Sequence, residues 1–177
     1  MAERNILVDG RMVVYSGLFR ADELYSIIRS FFSQRGYFAI EKKAQEDVLE
    51  SGKQIVVETE AGLRFNDYAK GIIKLAINVK NLKDKTITLN GHKQKYQQGE
   101  VKIKFSAFLE TDRRSQWEGS GLAFVFRTLS DKFIRHDYIH SMQDQTTKDC
   151  NALADEVKTY LNMGRFKISN VETKEEL

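Results

Sequence analysis

The sequence contains no proline and only one cysteine, Cys150. A lone cysteine excludes a disulfide within the chain and is typical of proteins kept in a reducing compartment. The absence of proline, against a usual share of about 5%, favours long regular elements joined by Gly, Asn and Asp turns. We therefore expect a cytoplasmic protein that is stabilised by its core and not by covalent cross-links.

Long apolar runs are missing as well. No stretch approaches the ~18 consecutive apolar residues of a membrane-spanning helix, so we expect no membrane span. The opening residues, MAERNILVDGRMVV, contain no apolar segment of the secretory type, which predicts no signal peptide. A length of 177 residues fits one domain, which we place at 1–168, followed by an acidic, frayed tail at 169–177.

Catalytic and cofactor signals are equally scarce. Gly119-Ser120-Gly121 lacks the spacing of either phosphate-binding fingerprint. His136 and His140 would share one face of a helix, but no third strong ligand accompanies them, so surface or partly packed histidines are favoured over a metal site. Cys150 belongs to an apolar helical stripe, where a buried structural thiol is the ordinary case and a nucleophile the exception. We expect no cofactor, no catalytic residues and no enzyme activity.

Two segments of alternating apolar and polar residues lie at the centre of the predicted fold. They are YAKGIIKLAINVK at 68–80 and EVKIKFSAFLET at 100–111. A period of two over this length predicts a half-buried antiparallel sheet. Asn90-Gly91 lies between the two segments and is the dipeptide that most favours a tight hairpin turn. The predicted apolar face comprises Ile73, Leu75, Ile77, Val79, Val101, Ile103, Phe105, Ala107 and Leu109.

The N-terminal third predicts two more hairpins separated by a helix. Asp9-Gly10 separates two short apolar runs and predicts the first turn. Apolar residues at helical spacing predict a helix over 21–36, with capping by Asp22 or a neighbour and a stop at Gly36. The second hairpin turns at residues 51–53, and its polar first strand is expected at an edge or projecting into solvent.

The C-terminal third is predicted to be mostly helical. Residues 122–142 place Leu122, Phe126, Leu129 and Phe133 on one face, although the start of this run could instead finish the sheet. A second helix carries the stripe Cys150, Leu153, Val157, Tyr160 and Leu161, and Gly164 is its predicted stop. The fold class is therefore α+β, with an antiparallel sheet packed against an N-terminal helix and a long C-terminal helical segment.

This order of elements resembles the helix-grip architecture of START and Bet v 1-like domains over about Ile6 to Ile168. The resemblance implies a sheet that wraps a C-terminal helix and an apolar cavity between them. The run FRTLSDKFIRHDY is also similar to a segment of an uncharacterised archaeal protein family, which implies no function. The polar hairpin at 38–60 and the second C-terminal helical segment depart from the helix-grip pattern and speak against a lipid-type cavity.

Lysine is concentrated in the central sheet. Residues 70–104 contain nine lysines and two carboxylates, an excess of seven positive charges on a chain of net charge +3. Such a face could meet an anionic polymer such as nucleic acid, or it could be a solvated face with lysines that protect the sheet. The candidate interface or anion-facing residues are Lys70, Lys74, Lys80, Lys93, Lys95, Lys102 and Lys104, with Arg113, Arg114 and Trp117 in the polar loop that follows.

Negative charge is concentrated in the second hairpin. Residues 41–60 contain six carboxylates and three lysines. The candidate acidic counter-face comprises Glu41, Glu46, Asp47, Glu50 and Glu58. An acidic hairpin and a basic sheet in one chain could dock between subunits, or both could be solvated faces.

Three functions from different classes follow from these features. The leading one is a non-enzymatic structural or assembly subunit that makes protein–protein contacts with copies of itself or with another protein. The alternative is a helix-grip carrier that binds an apolar small molecule or lipid between the sheet and the C-terminal helix. The third is a weak binder of nucleic acid or another anionic polymer through the lysine-rich face.

Overall fold

The computed structural model describes residues 3–66, 68–89, 92–111 and 135–175. They form a five-stranded antiparallel sheet and two helices, which confirms the predicted α+β class. The elements in chain order are β1 (Glu3–Phe19), α1 (Ala21–Gln34), β2 (Phe38–Leu49), β3 (Gly52–Arg64), β4 (Ala69–Leu89), β5 (His92–Thr111) and α2 (Arg135–Glu175). The strand order across the sheet is β1-β5-β4-β3-β2, so β1 and β2 are the two edges.

Both helices pack on the same side of this sheet. We call that side the covered face and the opposite side the open face. As the alternation predicts, the nine apolar residues of the predicted apolar face lie on the covered face, where Ile73, Ile103 and Phe105 are fully buried. They join the buried side chains of α1 and α2 in one continuous core, so the core occupies one side of the sheet only.

β1 corrects the first predicted hairpin. Asp9-Gly10 does not form a turn, because β1 runs as one strand from Glu3 to Phe19 beside β5. Its register shifts between Ile6 and Val8 and again between Val8 and Arg11, and Gly10 has a φ of 68°. The glycine therefore supplies the positive φ of a β-bulge, which the same dipeptide favours as readily as a hairpin turn.

α1 ends where the sequence predicts. Gly36 has a φ of 74°, and its N–H donates to the carbonyl of Ser33 at 3.2 Å. The Tyr37 N–H donates to the carbonyl of Phe32 at 2.8 Å, which completes a Schellman motif. At the other end the N-cap residue is Arg20, without a side-chain cap, so the predicted cap at Asp22 or a neighbour is wrong.

The second hairpin is confirmed as an edge element. β2 pairs only with β3 within the described residues, out to Leu49 and Gly52. All twelve residues of β2 are exposed. A strand this polar cannot bury either face, which is why it lies at the edge of the sheet.

α2 corrects the predicted stop at Gly164, because the helix continues to Glu175. A glycine inside a helix costs only about 1 kcal/mol relative to alanine, and no proline follows to end the helix. The predicted boundary at residue 168 therefore falls within α2. The helical prediction for Leu122, Phe126, Leu129 and Phe133 lies outside the described residues.

α2 docks on the covered face through its apolar stripe. Cys150, Leu153 and Val157 are fully buried against the sheet. At β1, the Arg11 guanidinium donates to the Asn151 side-chain oxygen at 2.8 Å and pairs with Asp155. The succession of one strand, one helix, four strands and a final helix is compatible with a helix-grip arrangement.

Candidate interface at the open face and free edge of the sheet

The open face carries a patch that mixes apolar and basic side chains, formed where β1 pairs with β5. Met12 lies opposite Lys104, and Val14 lies opposite Lys102. Met12 and Val14 are 52% and 70% exposed. In the described part of the chain neither lysine has a carboxylate within ion-pair distance. We call these four residues the basic patch.

Lys74 of β4, on the same face, is held by contacts with neighbouring side chains. Lys74 forms an ion pair with Glu60 of β3 at 3.0 Å, and its ammonium lies 5.8 Å from the centre of the Phe108 ring. Arg4 approaches the same ring to 5.3 Å and pairs with Glu110 at 3.3 Å. These contacts neutralise much of the positive charge at this end of the open face.

The pKa of the Glu60 carboxyl reflects its contact with the positive charge of Lys74. Burial by itself raises the pKa of its carboxyl, but the hydrogen bond and charge of Lys74, with the charges of Lys42 and Lys70, outweigh burial and hold that pKa below its ordinary value. The Glu60 carboxyl is therefore ionised at neutral pH, and its charge is matched by a lysine of the neighbouring strand.

The seven predicted lysines do not share one surface. Lys70, Lys74, Lys80, Lys102 and Lys104 lie on the open face by their register. Lys95 instead lines a recess beside the start of α1, together with Arg20 and Asp22. Lys93 lies two residues before Lys95 on β5, on the same side of the strand.

The predicted acidic counter-face is also divided. The pairing of β2 with β3 places Glu41 and Glu46 on the side of the helices. Asp47 and Glu58 lie on the open face, and Glu50 lies in the turn of the hairpin. Glu46 pairs with Lys53 at 3.0 Å, and this contact raises the pKa of the Lys53 ammonium. The carboxylates therefore flank both faces of the hairpin.

The free edge of β2 is the second feature of this surface. Four large apolar side chains of the strand are exposed, at 74%, 45%, 74% and 47% for Phe38, Ile40, Val48 and Leu49. They lie at the two ends of the strand, and the charged residues lie between them. A register shift between Glu41 and Lys43 marks a bulge that brings Lys42 to the open face, where it lines a shallow groove with Glu58 and Lys104.

Sequence reasoning missed these four apolar residues, although a signal for them exists. β2 has five charged residues among twelve, too many for either face of the strand to be buried. Any apolar residue in such a strand must therefore remain exposed, and an exposed apolar edge is a site for pairing with another chain.

The remaining predicted sites contribute little to this surface. Arg113, Arg114 and Trp117 lie outside the described residues. His136 and His140 both belong to α2. Over residues 3–66, 68–89, 92–111 and 135–175, no group of three or more His, Cys, Asp and Glu side chains could hold a metal ion.

Cys150 lies in the core, away from the open face. Burial raises the pKa of its thiol to about 11, so the thiolate is scarce at neutral pH. This environment suits a packing residue and not a nucleophile.

Two comparisons with known proteins returned no match, neither to a protein-family model nor to a curated protein. Within the described residues, neither α1 nor α2 is both long and apolar enough to cross a membrane.

Proposed function

We propose that the chain is a non-enzymatic assembly subunit that associates with copies of itself through the uncovered parts of its sheet. The observation that carries the proposal is the outer edge of β2, with which no other described strand pairs, and where all twelve residues, four of them large and apolar, are exposed. Natural proteins blunt such edges, because an open strand edge pairs with other chains. An exposed strand edge with large apolar side chains is therefore what we expect of a subunit that associates through this edge.

The basic patch supports the same proposal. Met12 and Val14 expose apolar surface beside Lys102 and Lys104, and apolar side chains with a charged rim are common at protein interfaces. The buried, weakly acidic thiol of Cys150 supports the non-enzymatic part of the proposal.

The test is the mass of the protein in solution. Light scattering over a concentration series, at low and at high salt, is expected to show a mass that rises above 20.5 kDa. A salt-sensitive rise indicates that charged surfaces meet, and a salt-resistant rise indicates apolar contact. A mass of one chain at every concentration overturns self-association.

A second function, weak binding of an anionic polymer, is favoured by Lys102 and Lys104. Both side chains are exposed and lack an ion pair to any described residue. Binding of this kind would fall steeply with salt, and the double variant Lys102→Glu/Lys104→Glu would abolish it. Titration of a labelled single-stranded oligonucleotide at two salt concentrations distinguishes it from self-association.

The carrier function receives less support. A cavity between the sheet and α2 would be lined by side chains such as Phe105, Leu153 and Val157, and these pack into one cluster with no exposed surface. Native mass spectrometry tests the carrier directly, because a retained ligand adds its mass to the chain.

A further inference from the structure

We propose that β2 pairs with β2 of a second copy in an antiparallel register centred on Gln45, so that two sheets join into one of ten strands. This inference rests on the proposed self-association and specifies its surface and its geometry. The occupant of the free edge is a second copy of this chain, because the sequence of β2 is complementary to itself in this register.

Antiparallel pairing about a two-fold axis imposes one geometric condition. Residues opposite each other must lie on the same face of the joined sheet. The regular part of β2 presents Phe38, Ile40, Lys43, Gln45, Asp47 and Leu49 on the open face, as its register with β3 shows, and the bulge adds Lys42 to that face. The hydrogen bond from the Gln45 side-chain nitrogen to the Asp47 carboxylate, 2.9 Å long, confirms that these two side chains share a face.

The register centred on Gln45 satisfies this condition and matches the charges. It places Lys43 opposite Asp47 of the second copy, and symmetry repeats this ion pair on the other side of the axis. Beyond the bulge it places Ile40 opposite Leu49, again twice. The two kinds of open-face pair nearest the axis therefore join opposite charges or two apolar side chains, while Lys42 in the bulge and Phe38 at the end of the strand stay outside these pairs.

Neighbouring registers that keep the faces matched are poorer. A register centred on Ala44 places Glu41 opposite Glu46 and Asp47 opposite Ile40. A register centred on Glu46 sets that carboxylate against its own copy and Lys43 against Leu49. Like charges directly opposite each other destabilise a strand pair, so the charges of β2 select the register centred on Gln45.

The covered side of the same pairing is also complementary. Val48 lies on the side of the helices and is 74% exposed. The register brings it towards Glu41 and Ala39 of the second copy, at the mouth of a cleft of about 230 Å³ between α1 and β2. Tyr25 and Ile28 of α1 line this cleft, so it offers apolar surface for the valine.

Charge exchange tests the register. Lys43→Asp and Asp47→Lys, each alone, replace two opposite-charge pairs by two like-charge pairs, so each is expected to weaken dimer formation roughly tenfold. The double variant Lys43→Asp/Asp47→Lys restores both pairs with reversed sign and is expected to return the dissociation constant to within about threefold of the unmodified chain. Loss of dimer in each single variant without recovery in the double variant overturns the register.

Cysteine cross-linking tests the two-fold axis independently of charge. In Gln45→Cys the two introduced thiols face each other, with Cα atoms about 4.5–5.5 Å apart, which is within disulfide range. The native Cys150 is fully buried and does not interfere. The matched control is Gln54→Cys on β3, opposite Asp47, because its two copies would be separated by three strand spacings of about 4.8 Å each.

The expected result is a covalent dimer for Gln45→Cys under mild oxidation and a monomer for Gln54→Cys. Equal cross-linking of both variants overturns the proposal. The proposal is also overturned if the unmodified chain dimerises, the charge variants dimerise equally well and Gln45→Cys is not cross-linked. In that case the proposed assembly function stands. An unmodified chain that is monomeric at every concentration overturns both.

Discussion

The hydroxyl group of Tyr160 joins the two helices at the start of α1. It donates to the Arg20 carbonyl at 3.0 Å and accepts from the Arg20 N–H at 3.2 Å. The Glu23 carboxylate lies 3.1 Å from the same hydroxyl. Arg20 is the N-cap of α1 and has no side-chain cap, so its N–H is one of the unpaired donors at the start of the helix. The hydroxyl of Tyr160 caps this donor and ties the start of α1 to α2.

Replacing Tyr160 by phenylalanine removes these contacts and keeps the ring. Each hydrogen bond contributes about 0.5–1.5 kcal/mol net to stability, and two are lost at the backbone of Arg20. We therefore expect the free energy of unfolding to fall by about 1–2 kcal/mol. For a chain of this length that corresponds to a drop in Tm of roughly 2–8 °C.

The assay is thermal and urea unfolding followed by circular dichroism, at one fixed protein concentration because self-association shifts apparent stability. Tyr138→Phe is the matched control, since Tyr138 lies on the same helix and is 55% exposed. We expect no measurable change for the control. A Tyr160→Phe protein as stable as the unmodified chain, or an equal loss in both variants, refutes the capping role.

Three further predictions concern the core, the tyrosines and one glycine. Leu153→Ala, at a fully buried position, is expected to lose about 2–5 kcal/mol in urea unfolding, whereas Lys158→Ala on the exposed side of α2 is expected to stay within about 0.5 kcal/mol. Burial raises the pKa of both Tyr37 and Tyr160, so the folded chain keeps protons that the unfolded chain releases above about pH 10. The free energy of unfolding should therefore fall as the pH rises beyond that value, and it should fall less in Tyr160→Phe. A free energy of unfolding that does not change with pH in this range contradicts the prediction. Gly36→Ala forces a side chain into a φ of 74° and should lower stability by about 1 kcal/mol in thermal unfolding, and an unchanged Tm argues against the Schellman end of α1.

Local patterns predicted the elements well wherever burial alternates regularly. The period of two in β4 and β5 reports directly which side chains meet the helices, so their faces follow from the sequence. The end of α1 could also be predicted, because the positive φ at Gly36 is a requirement of the local backbone. Gly10 and Gly164 show the limit of such signals. A glycine can adopt a positive φ or continue a helix, and the surrounding residues determine which of the two conformations it has.

Contacts between residues that are far apart in the sequence could not be predicted from the spacing of residue types. The pairing of β1 with β5 joins residues 78 to 108 positions apart. The contact of Tyr160 with Arg20 joins residues 140 positions apart. The lysines and carboxylates were predicted as two opposed surfaces, but alternation along β2 divides the acids between both sides of the strand. The bulge at Lys42 has no glycine or other local marker, so only the register reveals which charges face the open side.

Hydrogen exchange of β2 tests the central claim most directly. Alternate backbone amides of an edge strand point away from the sheet, and no described residue pairs with these amides of β2, so pairing with a second chain would protect them from exchange. We predict that exchange in the segment 38–49 slows as protein concentration rises, while exchange in β4 stays unchanged. Fast exchange in 38–49 at concentrations where the mass in solution exceeds one chain would contradict association through this edge.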